Sequence, residues 1–153
     1  LLTGGISGGD YDFVLLATQH CGVEKHFHKI KQKPGKPFYF GTKGDKLIFG
    51  LPGNPGSALT CLYEYVLRAL AQMMGKKKSI QKIEAILQTE YSKNAGMTHF
   101  LKGFYEDEKV TILPAQASFQ LSSFAQANCL IVINEETEEV KAGAKVEVHL
   151  LPI

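Results

Sequence analysis

The chain has 153 residues, of which 44% are hydrophobic and 21% are charged, and it carries a net charge of +2 at pH 7. No apolar run approaches the ~20 residues that a membrane-spanning helix needs, so a membrane partner is not expected. The three cysteines, Cys21, Cys61 and Cys129, are widely spaced and form neither a disulfide framework nor a zinc pattern. They predict reduced thiols in a cytoplasmic protein.

The charge is divided unevenly along the chain. Residues 1–78 contain eleven Lys/Arg against five Asp/Glu, a net +6, whereas residues 79–153 contain six against ten, a net −4. A basic half suits a small anionic ligand, but its charge is too weak and too scattered for nucleic acid. The chain begins at Leu1 inside a strand-like segment, without a signal peptide, so we expect a C-terminal fragment of a longer protein.

The first 75 residues alternate between strand and helix patterns. A glycine-rich turn over 4–9 follows Leu1-Leu2, and a helix is predicted over 12–21 with Gly22 as its stop. A strand over 23–30 has weaker support, because it contains several His and Lys residues. Two further strands, 38–40 and 46–49, are joined by the hairpin signal at 42–45. The clearest helix then begins with Asn54 as its N-cap and Pro55 in its first position, and it ends at Gly75.

After Lys78 the period of the hydrophobic residues changes from helical to alternating. This change predicts a boundary near residues 75–79, with an α/β part over 1–75 and a small, mostly β domain over 76–153. A short helix is expected over 121–126. The five predicted strands span 80–87, 99–105, 110–113, 130–133 and 146–151.

The glycine-rich turn TGGISGGD lies at a strand-to-helix junction. Backbone N–H groups at such a junction can hold a phosphate or another oxyanion, and Ser7 adds a hydroxyl to the predicted site of Gly4 and Gly5. Asp10 and Asp12 follow at once and suit a hard cation such as Mg²⁺. The alternatives are a tight turn that needs positive φ and an aspartate that only caps the helix.

Two proline-rich loops add further candidates. KPGKP places Lys33 and Lys36 on a stiff loop, where two ammonium groups would neutralise an oxyanion, although a solvated basic loop is the alternative. In LPGNP, Gly53 allows close approach of a ligand and Ser57 lies in the first helical turn, where N–H groups are free. His26 and His28 give only a weak metal pattern, and we expect His20, His99 and His149 to be packing or surface residues.

Taken in order, TGGISGGDYDF, KPGKPF and GLPGNPGSA resemble the molybdopterin molybdenumtransferase family (MoeA, with the eukaryotic relative gephyrin). The resemblance covers essentially the whole chain, including QASFQLSSFAQAN at 116–128. It implies a fold of class α/β followed by mostly β: part of a three-layer α/β molybdopterin-binding domain, then a small β-barrel-like C-terminal domain.

The resemblance also implies site residues. Asp12 matches an essential aspartate and would hold Mg²⁺, and Lys36 would share the catalytic role. The other matching residues would bind substrate. Those around molybdate and the pterin, and in the LPGNP loop, are Lys33, Pro37, Pro52, Gly53, Asn54, Pro55 and Ser57. In the β domain, Lys102 stands where the family often has an oxyanion-binding arginine, and Ser118 matches a nearby serine.

The implied reaction is insertion of molybdate into adenylylated molybdopterin with Mg²⁺-dependent release of AMP. Family members close this site between subunits of a homodimer with upstream residues, so the isolated fragment is expected to be inactive. A molybdopterin-binding sensor without catalysis and a scaffold or interaction module are the alternatives. The chain departs from the family at Gly56, usually valine, and at Lys102, since lysine lacks the bidentate fork of arginine.

Overall fold

The computed structural model describes residues 1–8, 12–76 and 80–152. Its first part contains a four-stranded sheet with the order β1-β5-β4-β2, in which β1 runs parallel to β5 and the other pairs are antiparallel. Gly44, at φ +54, makes the tight turn between β4 and β5, as the hairpin signal predicts. The four strands are β1 (Leu2–Thr3), β2 (Glu24–His28), β4 (Tyr39–Lys43) and β5 (Lys46–Leu51).

Both helices predicted in the first part are present. α1 (Val14–His20) is followed by Gly22 at φ +67. The second begins as α2 (Pro55–Cys61), continues through a π-helical segment at Leu62–Val66 and ends as α3 (Leu67–Met73). Asn54 occupies the N-cap position, but its side chain makes no capping hydrogen bond.

The second part is a closed barrel of five strands, in the order β8-β10-β12-β6-β9 and back to β8. All five predicted strands are therefore confirmed, as is the short helix α4 (Ser122–Gln126). A two-stranded ribbon of β7 (Tyr91–Ser92) and β11 (Glu139–Val140) lies beside it. The barrel strands are β6 (Gln81–Leu87), β8 (Thr98–Glu106), β9 (Lys109–Ile112), β10 (Cys129–Ile133) and β12 (Lys145–Leu150).

One strand from the first part joins the barrel. β3 (Gln32–Lys33) pairs in parallel with the start of β8, so that Gln32 lies opposite Thr98 and Lys33 lies opposite His99. Two residues are too few to show an alternating pattern, and their partner lies more than sixty residues away in the chain. The sequence could not reveal this strand, yet it fixes the KPGKP loop against the barrel.

Each part has its own apolar core. In the first, Phe38, Phe49, Leu51, Cys61 and Val66 pack between the sheet and the long helix. In the second, the inward-facing residues of the barrel strands fill its interior. Within the described ranges, no helix is long and apolar enough to cross a membrane. The predicted boundary at 75–79 falls mainly on residues 77–79, outside the described residues, and it stays a prediction.

Candidate functional site

The glycine-rich turn and the LPGNP loop lie side by side. They follow β1 and β5, which are parallel neighbours, so their carboxyl ends meet at the same edge of the sheet, where ligands of α/β proteins bind. The Gly4 N–H donates to the Leu51 carbonyl at 2.9 Å. Gly4 adopts φ +80, and a Cβ on Gly53 would lie 3.6 Å from the Gly4 Cα. The positive φ of Gly4 favours glycine there, and the two backbones lie within van der Waals contact of each other.

Asp12 lies between the glycine-rich turn and α1. Phe13 holds the N-cap position, whereas the Asp12 carboxylate accepts a hydrogen bond from the Gly8 N–H. This hydrogen bond ties the carboxylate to the turn that it follows, and the capping alternative stays open. Asp10 lies outside the described residues.

The described part of the chain contains no group of three His, Cys, Asp or Glu side chains that could hold a metal ion. His26 and His28 illustrate this, because Nε2 of His26 pairs with the Thr42 hydroxyl and Nε2 of His28 with the Ile6 carbonyl. Mg²⁺ nevertheless needs only one or two carboxylates when substrate phosphates and waters complete its shell. Asp12 fits that requirement.

A cavity of about 410 Å³ lies between the two parts of the molecule. Lys33, Lys36 and Pro37 reach it from the KPGKP loop, Ser57 from the first turn of α2, and Ser118 from a loop of the barrel. These five residues were all predicted from sequence, although they come from three separate segments. None of the fifteen lining residues is acidic, and two are lysines, so the cavity suits an anionic ligand.

The KPGKP loop is held by buried contacts that the sequence gives no reason to expect. Nε2 of Gln32 donates to the Pro34 carbonyl at 2.9 Å, and its Oε1 accepts from the Tyr65 hydroxyl. Gly35 has φ +94, and a Cβ there would lie 2.6 Å from the Cys61 Sγ. Burial raises the pKa of the Cys61 thiol to about 12, so Cys61 packs as a neutral thiol beneath the loop.

Lys102 holds the barrel loop that carries Ser118. Its side chain is buried, with 3% exposure, and its Nζ donates to the carbonyls of Ala115, Ala117 and Gln120 at 2.6, 3.3 and 3.1 Å. Burial lowers its pKa from the ordinary value of 10.5. Lys102 is not among the residues that line the cavity, so its direct contact with an oxyanion stays a prediction.

Two contacts join the Ser118 loop to the start of α2. The Gly56 N–H donates to the Ser118 carbonyl at 2.8 Å, and the Asn54 amide donates to the Ser118 hydroxyl at 3.2 Å. A Cβ on Gly56 would lie 2.7 Å from the same carbonyl oxygen. Only glycine allows this approach, which gives the departure from the family's usual valine a structural reason.

Tyr91 and His99 also line the cavity, and sequence reasoning missed both. The Tyr91 hydroxyl lies 2.8 Å from Nδ1 of His99, and the two rings meet edge to face. Burial, together with Lys33 and Lys93, lowers the pKa of His99 below its ordinary value of 6.5. His99 was expected to be a packing or surface residue; it is buried, and its place on β8 opposite Lys33 also puts it in the wall of the cavity.

Comparison with known proteins agrees with this architecture. Residues 1–72 match the family described as "Probable molybdopterin binding domain", and residues 84–151 match "MoeA C-terminal region (domain IV)". The fold and the two matches thus define a protein whose α/β part is of the probable molybdopterin-binding type and is followed by a barrel of the MoeA C-terminal type. The chain belongs to the MoeA family of molybdenum cofactor biosynthesis proteins.

Individual relatives and solved structures that resemble this chain carry names from molybdopterin metabolism. The molybdopterin molybdenumtransferase of Haemophilus influenzae is 36% identical over 99% of this chain and 40% of its own length. That of Bacillus subtilis is 29% identical over 99% of this chain and 36% of its own. The molybdopterin biosynthesis moeA protein of Pyrococcus horikoshii superposes with a TM-score of 0.76 at 32% identity, covering 86% of this chain and 33% of its own. The chain thus spans between 33% and 40% of the length of these relatives.

Proposed function

We propose that this chain forms part of a molybdopterin molybdenumtransferase site, which inserts molybdate into adenylylated molybdopterin and releases AMP. The observation that carries the proposal is the cavity between the two parts, into which Lys33 and Lys36 project positive charge without an acidic neighbour in the lining. The relatives that match the chain from end to end are named for this activity.

The chemistry asked of the protein is mainly positioning and electrostatic stabilisation. Lys33 and Lys36 bind the oxyanion, and Ser57 and Ser118 orient it from the place where the start of α2 meets the barrel loop. The glycine-rich turn and the LPGNP loop hold the phosphate-bearing end of the substrate with backbone N–H groups. Pro37, Pro52 and Pro55 keep these loops in a fixed path, which reduces the entropy lost on binding.

Asp12 is the residue that would hold Mg²⁺, with substrate phosphate and water completing the shell. The bound ion would supply positive charge next to the phosphoanhydride. The Gly8 N–H orients the Asp12 carboxylate toward the same turn that would receive the phosphate. Asp12 therefore links the metal and the substrate at one edge of the sheet.

Because the chain spans only 33% to 40% of the length of these relatives, we propose that upstream residues and a second subunit complete the site. The chain alone then binds ligand without turning it over. A non-catalytic molybdopterin sensor, or a scaffold, is the competing function, and either would leave the cavity without catalytic use.

The test joins this chain to the upstream part of the Haemophilus influenzae relative and measures AMP release from adenylylated molybdopterin. Release that needs both Mg²⁺ and molybdate, and that falls at least about tenfold in Asp12→Ala, is the expected result. Circular dichroism and gel filtration check that wild type and variant fold and dimerise alike. Pterin binding without AMP release in the joined protein would favour the sensor, and turnover by the isolated chain would overturn the proposed dependence on upstream residues.

A further inference from the structure

We propose that His99 contacts the ligand in the cavity, with Tyr91 holding the imidazole in the tautomer that carries its proton on Nε2. In this role His99 donates a hydrogen bond to an oxygen of the anion that Lys33 and Lys36 bind. The inference rests on the proposed function, because it deepens the recognition of the same anionic ligand.

The position of His99 follows from the joining of the two parts. β3 places Lys33 directly opposite His99 in a parallel pair, so the two side chains belong to one wall of the cavity. His99 stands at the start of β8, and Tyr91 reaches it from the small ribbon outside the barrel. Both residues line the cavity together with Lys36. A donor on His99 therefore faces the space that the lysines make positive.

We assign the tautomer by letting the Tyr91 hydroxyl donate its proton to Nδ1 of His99. The Tyr91 hydroxyl carries one proton, and Nδ1 of His99, at 2.8 Å, is its partner within the described residues. When the hydroxyl donates to Nδ1, the neutral ring must carry its proton on Nε2. Among the described residues, every fully buried side-chain nitrogen or oxygen has a hydrogen-bond partner. Nε2 of His99 has no partner among them, so this atom is not fully buried. Nε2 is thus open to the cavity rather than sealed in the protein.

The charge state suits a directional donor. Burial and the two neighbouring lysines, Lys33 and Lys93, keep the imidazole neutral by lowering its pKa. A neutral N–H adds no charge that would have to be desolvated, and it binds an oxyanion oxygen in a fixed direction. The lysines supply attraction over distance, and His99 selects the orientation of the ligand.

Binding of molybdate and of AMP to the 153-residue chain, each measured alone by calorimetry, tests the role of His99. His99→Leu removes the donor. It is expected to weaken the binding of molybdate or of AMP about tenfold, since a hydrogen bond to a charged group is lost. His99→Gln restores an N–H near the position of Nε2 and should bind within about twofold of wild type. Lys36→Ala tests whether the ligand binds in the cavity at all. The matched control is Lys46→Ala, which replaces an exposed lysine on β5.

The role of Tyr91 has its own readout. Long-range nitrogen–proton NMR of the imidazole should show His99 in the Nε2–H tautomer, and Tyr91→Phe should shift it toward a mixture. A merely structural tyrosine would leave the tautomer unchanged, and that result would overturn this part of the inference.

The outcomes separate the two proposals. If Lys36→Ala loses binding while His99→Leu binds like wild type, the site stands and the inference about His99 is overturned. If wild type binds neither molybdate nor AMP, the proposed function fails and the inference falls with it. Parallel losses in His99→Leu and Lys36→Ala, with rescue in His99→Gln, support both.

Discussion

Glu64 and His149 form a buried pair across the seam between the two parts of the molecule. Nδ1 of His149 lies 2.8 Å from each carboxylate oxygen of Glu64, and the two side chains are only 5% and 4% exposed. Glu64 comes from the π-helical segment and His149 from β12. Nε2 of His149 faces Glu147 at 2.6 Å, and hydrogen bonds from Lys82 and His149 lower the pKa of that carboxyl. The pair therefore ties the long helix to the barrel behind the candidate site.

Removing one member of this pair should destabilise the chain strongly. Glu64→Leu leaves Nδ1 of His149 buried without a partner, and we expect a loss of roughly 3 kcal/mol in the free energy of unfolding, measured by urea denaturation. Glu84→Leu is the control, because Glu84 pairs with Lys145 on the surface, where an ion pair contributes about 1 kcal/mol or less. Equal effects of the two substitutions would show that the buried pair contributes little.

Gly56→Ala should destabilise the chain although it replaces glycine inside a helix. Alanine normally favours a helix by about 1 kcal/mol over glycine. Here the new Cβ would lie 2.7 Å from the Ser118 carbonyl oxygen, so the loop and α2 must separate. We expect a net loss of about 1–2 kcal/mol by urea denaturation, together with weaker ligand binding at Ser118. A stabilised variant would mean that the loop yields freely, contrary to this contact.

Lys102→Met should loosen the Ser118 loop. The ammonium group donates to three carbonyls of that loop, and methionine keeps the bulk of the side chain without any donor. We expect a loss of roughly 2–3 kcal/mol and faster amide hydrogen exchange over 115–120, because buried acceptors lose their partner. Lys109→Met, at an exposed position on neighbouring β9, should change neither quantity. If amide protection in the Ser118 loop is unchanged in Lys102→Met, other contacts hold the loop in place.

His99 should make the chain less stable in acid. Its pKa in the folded chain lies below the ordinary 6.5, so the unfolded state binds the proton more readily. The stability that the neutral imidazole of His99 contributes is fully present above pH 6.5, and it declines as the pH falls from 6.5 toward the lowered pKa. His99→Gln should therefore flatten the dependence of unfolding free energy on pH in that window. The same replacement at exposed His20 is the control, and an unchanged slope in His99→Gln would contradict the prediction.

Local patterns predicted most of the fold. Alternating residues revealed the barrel strands, and Pro55 at the first helical position with Gly75 after the last turn marked the long helix. Such signals could be read because each depends on neighbours within a few residues. The π-helical segment and the two-residue strand β3 could not be predicted, because both depend on contacts with distant parts of the chain.

The residues of the candidate site likewise fall into those that local motifs revealed and those that they did not. Asp12, Lys33, Lys36, Ser57 and the two glycine-rich loops stood out because glycine, proline and charge recur there in motifs. Gln32, Tyr91 and His99 gave no such signal, and the burial of Lys102 was not foreseen. Their roles come from partners far away in sequence.

Local sequence was enough to show which elements form and which loops combine charge with glycine and proline, because propensity and periodicity act over a few residues. The pairing of the KPGKP loop with the barrel, the contact of Gly56 with Ser118, and the meeting of a tyrosine and a histidine beside Lys33 arise only in the folded chain. These contacts join residues that are from 8 to 66 positions apart. Their energies depend on how two cores pack against one another, which no local pattern encodes.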